Sequence, residues 1–85
     1  MDSAAVKIRL SKVFQDFFDD ASLQITESTT ASDIDGWDSL THINLIVEVE
    51  KQFGIRLSTG DVRGLQNIGD FITVIVKKLI VKKAT

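Results

Sequence analysis

Few side chains in this sequence of 85 residues could do covalent chemistry. Cysteine is absent and histidine occurs once, at His42, so no thiolate nucleophile, disulfide framework or cysteine-ligated metal can be built. One histidine among scattered carboxylates lacks the clustered ligands that zinc requires, and no metal site is expected. Glycine spacing matches neither a dinucleotide fingerprint nor a phosphate loop. Ser39 and His42 stand three apart, close enough to be neighbours on a helix, but no third group is evident to orient the imidazole. An exposed histidine without a partner is the simplest reading, and no catalytic residue is assigned. An enzyme is not expected.

Ser39 itself follows Gly36, Trp37 and Asp38 and precedes Leu40, at the point where an acidic segment meets an apolar run. As a serine at such a boundary it serves as a helix cap or first-turn residue. The same place also suits a phosphate ester, because the unpaired N–H groups of a first helical turn stabilise negative charge.

The elements that would hold Ser39 follow from periodicity. Val6, Leu10, Val13, Phe14, Phe17, Phe18 and Ala21 recur at spacings of three and four, placing one apolar face on a helix from about residue 4 to 20. Residues 22–38 have no sustained period and are rich in Ser, Thr and Asp. They read as a long loop without secondary structure of its own, anchored by Leu23, Ile25, Ile34 and Trp37. Asp38 then caps a second helix, whose broad apolar stripe contains Leu40, Ile43, Leu45, Ile46, Val47, Val49 and Phe53, and Gly54 stops it in the left-handed conformation. Ile55 and Leu57 pack as the chain turns away. A short third helix fits between Ser58 and Asn67, capped by Ser58 or Thr59, with Val62 and Leu65 inward. The last helix begins at Asn67 or Ile68, runs to about Lys82, and buries Ile68, Phe71, Ile72, Ile75, Val76 and Leu79. Its β-branched residues also suit a strand, but the apolar face outlasts an average strand and nothing is available to pair with it. The expected fold is all-α, a small bundle of three longer helices and one short one.

Length allows one domain, residues 1–85. The formal charge of −2 conceals an asymmetry: residues 16–50 hold nine acidic groups and no Lys or Arg, whereas the last nine residues hold four lysines and no acid. The acidic middle would repel nucleic acid and attract a basic protein surface, though such charges also simply keep a surface solvated. The longest apolar stretch, Phe71–Val76 with Leu79, Ile80 and Val81 beyond, is broken by Lys77 and Lys78 and too short to span a bilayer, and the first residues lack the pattern of a cleavable signal. A cytoplasmic monomer without membrane insertion is expected.

The stretch DGWDSLTHINLIVEVEKQFGI, residues 35–55, closely resembles the prosthetic-group site and second helix of the acyl carrier family. Asp38, Ser39 and Leu40 match its triplet, and Glu50 through Phe53 match the end of its second helix. Asn67, Ile68, Gly69, Asp70 and Phe71 resemble the start of its last helix, while Ser58, Thr59 and Asp61 resemble the lead-in to its short third one. The resemblance covers nearly the whole chain. It implies a carrier of acyl thioesters on a 4′-phosphopantetheine arm, moved from coenzyme A to Ser39 by a phosphopantetheinyl transferase and visited by acyl-loading and acyl-processing enzymes. By the same resemblance, Asp38 assists the transferase and Leu40 offers an apolar contact to partners. Leu45, Ile46, Val49, Ile68 and Ile72 would line an acyl sleeve, although plain core packing calls for the same residues.

Departures from the family's pattern bear on the pathway. Thr41, His42 and Asn44 stand where carriers of bulk fatty-acid synthesis are usually acidic, leaving Glu48 and Glu50 as the second helix's acids, with Lys51 near its end. Lys77, Lys78, Lys82 and Lys83 are also unusual for the type. These features favour a specialised polyketide, lipid or secondary-metabolite pathway. An aminoacyl or peptidyl carrier is the nearest alternative, disfavoured by the Asp33, Asp35 and Asp38 approach to the serine; an unmodified helical interaction module is another.

Overall fold

The computed structural model describes the backbone of residues 2–84 and the side chains of residues 2–80. Among these residues are four α-helices: α1 Ser3–Phe17, α2 Ser39–Phe53, α3 Thr59–Arg63 and α4 Ile68–Ala84. The side chains of Val81, Lys82 and Lys83 lie outside the described residues, so the basic end is seen only at Lys77 and Lys78.

Asp2 starts α1 by accepting the Ala5 N–H at 2.9 Å, which satisfies one of the amides that a helix start leaves unpaired. The helix is shorter than the periodicity suggests. Asp19 adopts a left-handed backbone (φ 52°), and the Asp19 and Asp20 N–H groups turn back to the carbonyls of Asp16 and Gln15. This is a Schellman-type stop with aspartate in glycine's usual place, and it leaves Ala21 exposed beyond the helix instead of on its apolar face. Val6, Leu10, Val13 and Phe14 are buried, and Phe17 and Phe18 pack partly against the core.

The segment 22–38 is not structureless. Thr30 and Asp33 frame a 3₁₀ turn at Ala31–Asp33, the carboxylate of Asp33 accepting the Thr30 N–H at 2.9 Å. Upstream, the Thr29 and Glu27 carbonyls accept N–H groups of Ile68 and Gly69 at 2.9 and 2.8 Å. The loop thereby caps the first turn of α4 with its own backbone. Gly69 permits this approach, since a Cβ there would meet the Glu27 carbonyl oxygen at 3.1 Å. Asn67 and Asp70 complete the cap: Asn67 Oδ1 accepts the Asp70 N–H at 2.9 Å, and Asp70 Oδ2 accepts the Gln66 N–H at 3.0 Å. Ile25, Ile34 and Trp37 are buried and Leu23 is half-buried, as expected of anchors.

Gly54 closes α2 at φ 63°. A capping box between Ser58 and Asp61 starts α3, and Lys78 of α4 reaches Asp61 at 3.0 Å, tying the shortest helix to the last one. The Ser58 backbone N–H above all, with Lys78 adding to it, pulls the Asp61 carboxyl down to about 2. The suspected strand is helical throughout: α4 lays Ile68, Phe71, Ile72 and Ile75 into a core shared with α1 and α2.

At the centre of that core Phe14 meets Phe71 and Trp37 edge-on at 5.9 and 5.3 Å. Phe14→Ala should cost about 3–5 kcal/mol of unfolding free energy, the usual penalty for emptying a packed aromatic site. Ile8→Ala, on the exposed side of the same helix, should stay within about 0.5 kcal/mol. Urea unfolding of the two variants beside the parent checks both values.

Candidate attachment site

The chain reaches Ser39 out of a buried residue. Trp37 is only 6% exposed, Asp38 is the N-cap of α2, and Ser39, the first helical residue, is exposed. Asp38 Oδ1 accepts the Thr41 N–H at 2.8 Å, and its backbone carbonyl accepts the His42 N–H at 2.8 Å. The Thr41 amide, ahead of lesser contributions, holds the Asp38 carboxyl below its ordinary range, so it is ionised at neutral pH. The hydroxyl of Ser39 therefore stands in solvent on a backbone fixed on one side by a buried indole and on the other by a capped helix.

His42 is not the exposed, unpartnered histidine that the sequence suggests. Its Nδ1 accepts the Trp37 Nε1–H at 2.9 Å, its ring lies edge to edge with the indole and nearly coplanar with it (centroids 5.9 Å apart, 20° between planes), and Phe71 approaches it edge-on at 6.1 Å. The two residues occupy the positions immediately before the cap and four residues into the helix, where a hydrophobic staple fixes the angle at which a chain enters a helix. That spacing was the available signal for the contact. A neutral imidazole accepting at Nδ1 carries its proton on Nε2, and burial depresses the pKa of His42.

Ser39 also borders a concavity of about 560 Å³. Trp37 and Leu65 give it apolar wall, and Thr30, Ser32, His42 and Gln66 give it polar groups. The five residues expected to line a sleeve, Leu45, Ile46, Val49, Ile68 and Ile72, are all buried in the common core, and none of them borders this concavity.

Leu40 points outward, as do Ile43 and Val47: they are 73%, 61% and 56% exposed. The broad stripe read from the sequence thus divides in two. Leu45, Ile46, Val49 and Phe53 face the core, while Leu40, Ile43 and Val47, at helical spacing, form an apolar line on the outside that begins next to Ser39. Acidic groups distant in sequence also converge: Asp19 and Asp20, after α1, border the same shallow hollow as Asp33 and Asp35. Among the described residues no three His, Asp or Glu side chains are grouped to hold a metal ion, and no helix is long and apolar enough to cross a membrane.

A phosphodiester-linked arm needs an accessible hydroxyl, backbone held still beneath it and space alongside, and Ser39 has all three. The family model for the phosphopantetheine attachment site matches residues 9–75, and the chain belongs to that family. Within the family it is similar to acyl carrier proteins. It is 34% identical over 56 residues to the acyl carrier protein of Thermotoga maritima, covering 66% of this chain and 69% of that one. Identity to the acyl carrier protein of Chloroherpeton thalassium is 38% over 55 residues, covering 65% and 69% respectively. The solution NMR structure of the holo acyl carrier protein from Geobacter metallireducens superposes with a TM-score of 0.87 at 40% identity, covering 93% of this chain and 91% of that one. The chain is an acyl carrier: it transports acyl intermediates on covalently bound phosphopantetheine and works by presenting them to enzymes.

Two outcomes follow for the site. Asp38→Ala should lower the thermal midpoint more than Asp38→Asn, which retains a capping oxygen; circular dichroism melts of the pair decide this. Because the His42 pKa is lowered on folding, the unfolded chain binds the extra proton first as pH falls below about 6.5. The stabilisation is therefore complete above that pH and drains away towards the lower, folded-state pKa. Melting temperature should drop between pH 7 and 5, and His42→Gln should flatten that part of the profile.

Proposed function

We propose that Ser39 is the residue to which the arm is attached, and that residues 1–85 act as one monomeric carrier domain, itself without catalytic activity, in the cytoplasm. The observation that carries the assignment is the exposure of the Ser39 hydroxyl at the first position of α2, between the buried Trp37 and the Asp38 cap. In the loading reaction, run by a phosphopantetheinyl transferase, Ser39 Oγ forms a new P–O bond with the phosphopantetheine phosphorus. The P–O bond to the adenosine bisphosphate of coenzyme A breaks, and the hydroxyl proton passes to a base of the transferase. When bound, the arm supplies the terminal thiol that this cysteine-free chain lacks. Asp38, ionised and adjacent, faces the transferase and assists its bound metal.

Partner recognition falls to the outer line of α2. Leu40, Ile43 and Val47 give acyl-loading and acyl-processing enzymes an apolar strip leading to the attachment point. The convergent Asp19, Asp20, Asp33 and Asp35 supply the field that steers a basic partner. With Thr41, His42 and Asn44 following the serine, α2 itself contributes little of that charge. This supports a dedicated polyketide, modified-lipid or secondary-metabolite pathway over bulk fatty-acid synthesis.

Incubation with coenzyme A, magnesium and a broad-specificity transferase should add one phosphopantetheine to the parent and none to Ser39→Ala, read by intact-protein mass. A folded parent that gains nothing with several transferases, or a Ser39→Ala variant that is still loaded, defeats the assignment.

A further inference from the structure

Trp37 stands between the concavity beside Ser39 and the packed apolar core. Its outer edge borders the concavity beside Ser39. Its inner side rests on Phe14 and Phe71, ring centroids 5.3 and 6.0 Å away, the two largest fully buried side chains of the core. A chain leading inward from Ser39 through that concavity meets the indole before it meets the apolar interior.

The indole is also held in place. Its N–H is committed to His42 Nδ1 at 2.9 Å, the imidazole lying edge to edge with it, and that imidazole is itself backed by Phe71. Moving the ring aside gives up the hydrogen bond and the Phe14, Phe71 and His42 contacts in one step. The space outside makes no comparable demand. Trp37, Ala31 and Leu65 give it apolar wall, Thr30, Ser32 and Gln66 add hydroxyl and amide groups, Asp38 a carboxylate, and it lies open to solvent. So open a groove suits a short acyl group. A long alkyl tail there keeps most of its surface in water and gains little.

Given Ser39 as the attachment residue, on which this step rests, we propose that Trp37, locked by His42, sets the cargo class: it bars the bundle interior and keeps the acyl group in the outer groove, selecting short cargo over long alkyl chains.

The test loads Ser39 from butyryl-, octanoyl- and dodecanoyl-coenzyme A and follows thioester cleavage by hydroxylamine, thermal midpoint and emission of the single tryptophan. Burial of a chain in the interior would be worth roughly fourfold in equilibrium per methylene, so sequestration would leave a steep dependence on length. In the parent, cleavage half-lives should agree within about twofold across the series, with little change in midpoint. Trp37→Ala should make the dodecanoyl form at least about tenfold longer-lived than the butyryl form. His42→Ala, which keeps the indole but removes its lock, should give a dependence in between and decides the matter if Trp37→Ala does not fold. A parent half-life that climbs about tenfold from butyryl to dodecanoyl overturns the proposal, as does a folded His42→Ala or Trp37→Ala whose half-lives remain flat. Absence of loading at Ser39 is seen separately, as a missing mass gain, and counts against the attachment assignment.

Discussion

The burial of Trp37 is the constraint from which much of the remaining arrangement follows. Two residues before an exposed serine, the chain surrenders a large aromatic side chain to a core already occupied by Phe14 and Phe71. That burial fixes where the loop ends, and the loop's end fixes where α2 begins. A large ring in the core contributes substantial apolar burial, but its N–H must find a partner, and His42 of the following helix supplies one. One side chain therefore packs the core, sets the entry angle of α2 and holds Ser39 at the surface. Asp38 completes the junction by capping the same helix.

The loop is held with equal economy at its other end. Its backbone carbonyls, at Glu27 and Thr29, satisfy amides of α4 that no earlier residue of that helix can reach. A segment rich in Ser, Thr and Asp would otherwise be free to drift; here it is tied to a helix that packs on α1 and α2. Lys7 of α1 also reaches Glu27 at 3.4 Å, a surface pair worth little in energy but joining α1 to the same stretch.

What the sequence made legible is what periodicity and end signals encode. The helices, the Gly54 stop, the Ser58 start of α3 and the burial of Ile25, Ile34 and Trp37 all follow from local patterns, and Ser39 stood out from the motif around it. The differences arise where residue type does not record the outcome, or where a residue's neighbours are far away in the chain. That α1 ends at Phe17 depends on Asp19 accepting a left-handed backbone, which aspartate tolerates but seldom announces. The docking of Glu27 and Thr29 on α4 uses backbone groups, which no residue type records; only Gly69 hints at it. Leu40, Ile43 and Val47 could not be told from core residues by composition, because α2 is apolar on two sides and only the positions of α1 and α4 decide which side is covered. At His42 the sequence suggests an exposed side chain, because histidine reads first as a catalytic or metal-binding group, whereas the fold uses it as the acceptor that a buried tryptophan requires.

These features bear on what a carrier has to do. Its own fold need not stabilise a transition state; it must deliver a tethered group to enzymes it meets in turn, and that depends on an accessible tether and a recognisable surface. Rigidity is accordingly concentrated beneath the serine, in the Trp37–His42 contact and the Asp38 cap. Ser39 itself is left open, with apolar residues exposed along α2 and carboxylates gathered beside the loop. An exposed apolar line on so small a protein is a hazard unless partners use it, and it begins at the residue after Ser39, the proposed attachment point. The Asp38–Ser39 pair thus sits between a buried indole, which holds it to the protein, and a leucine left exposed to solvent.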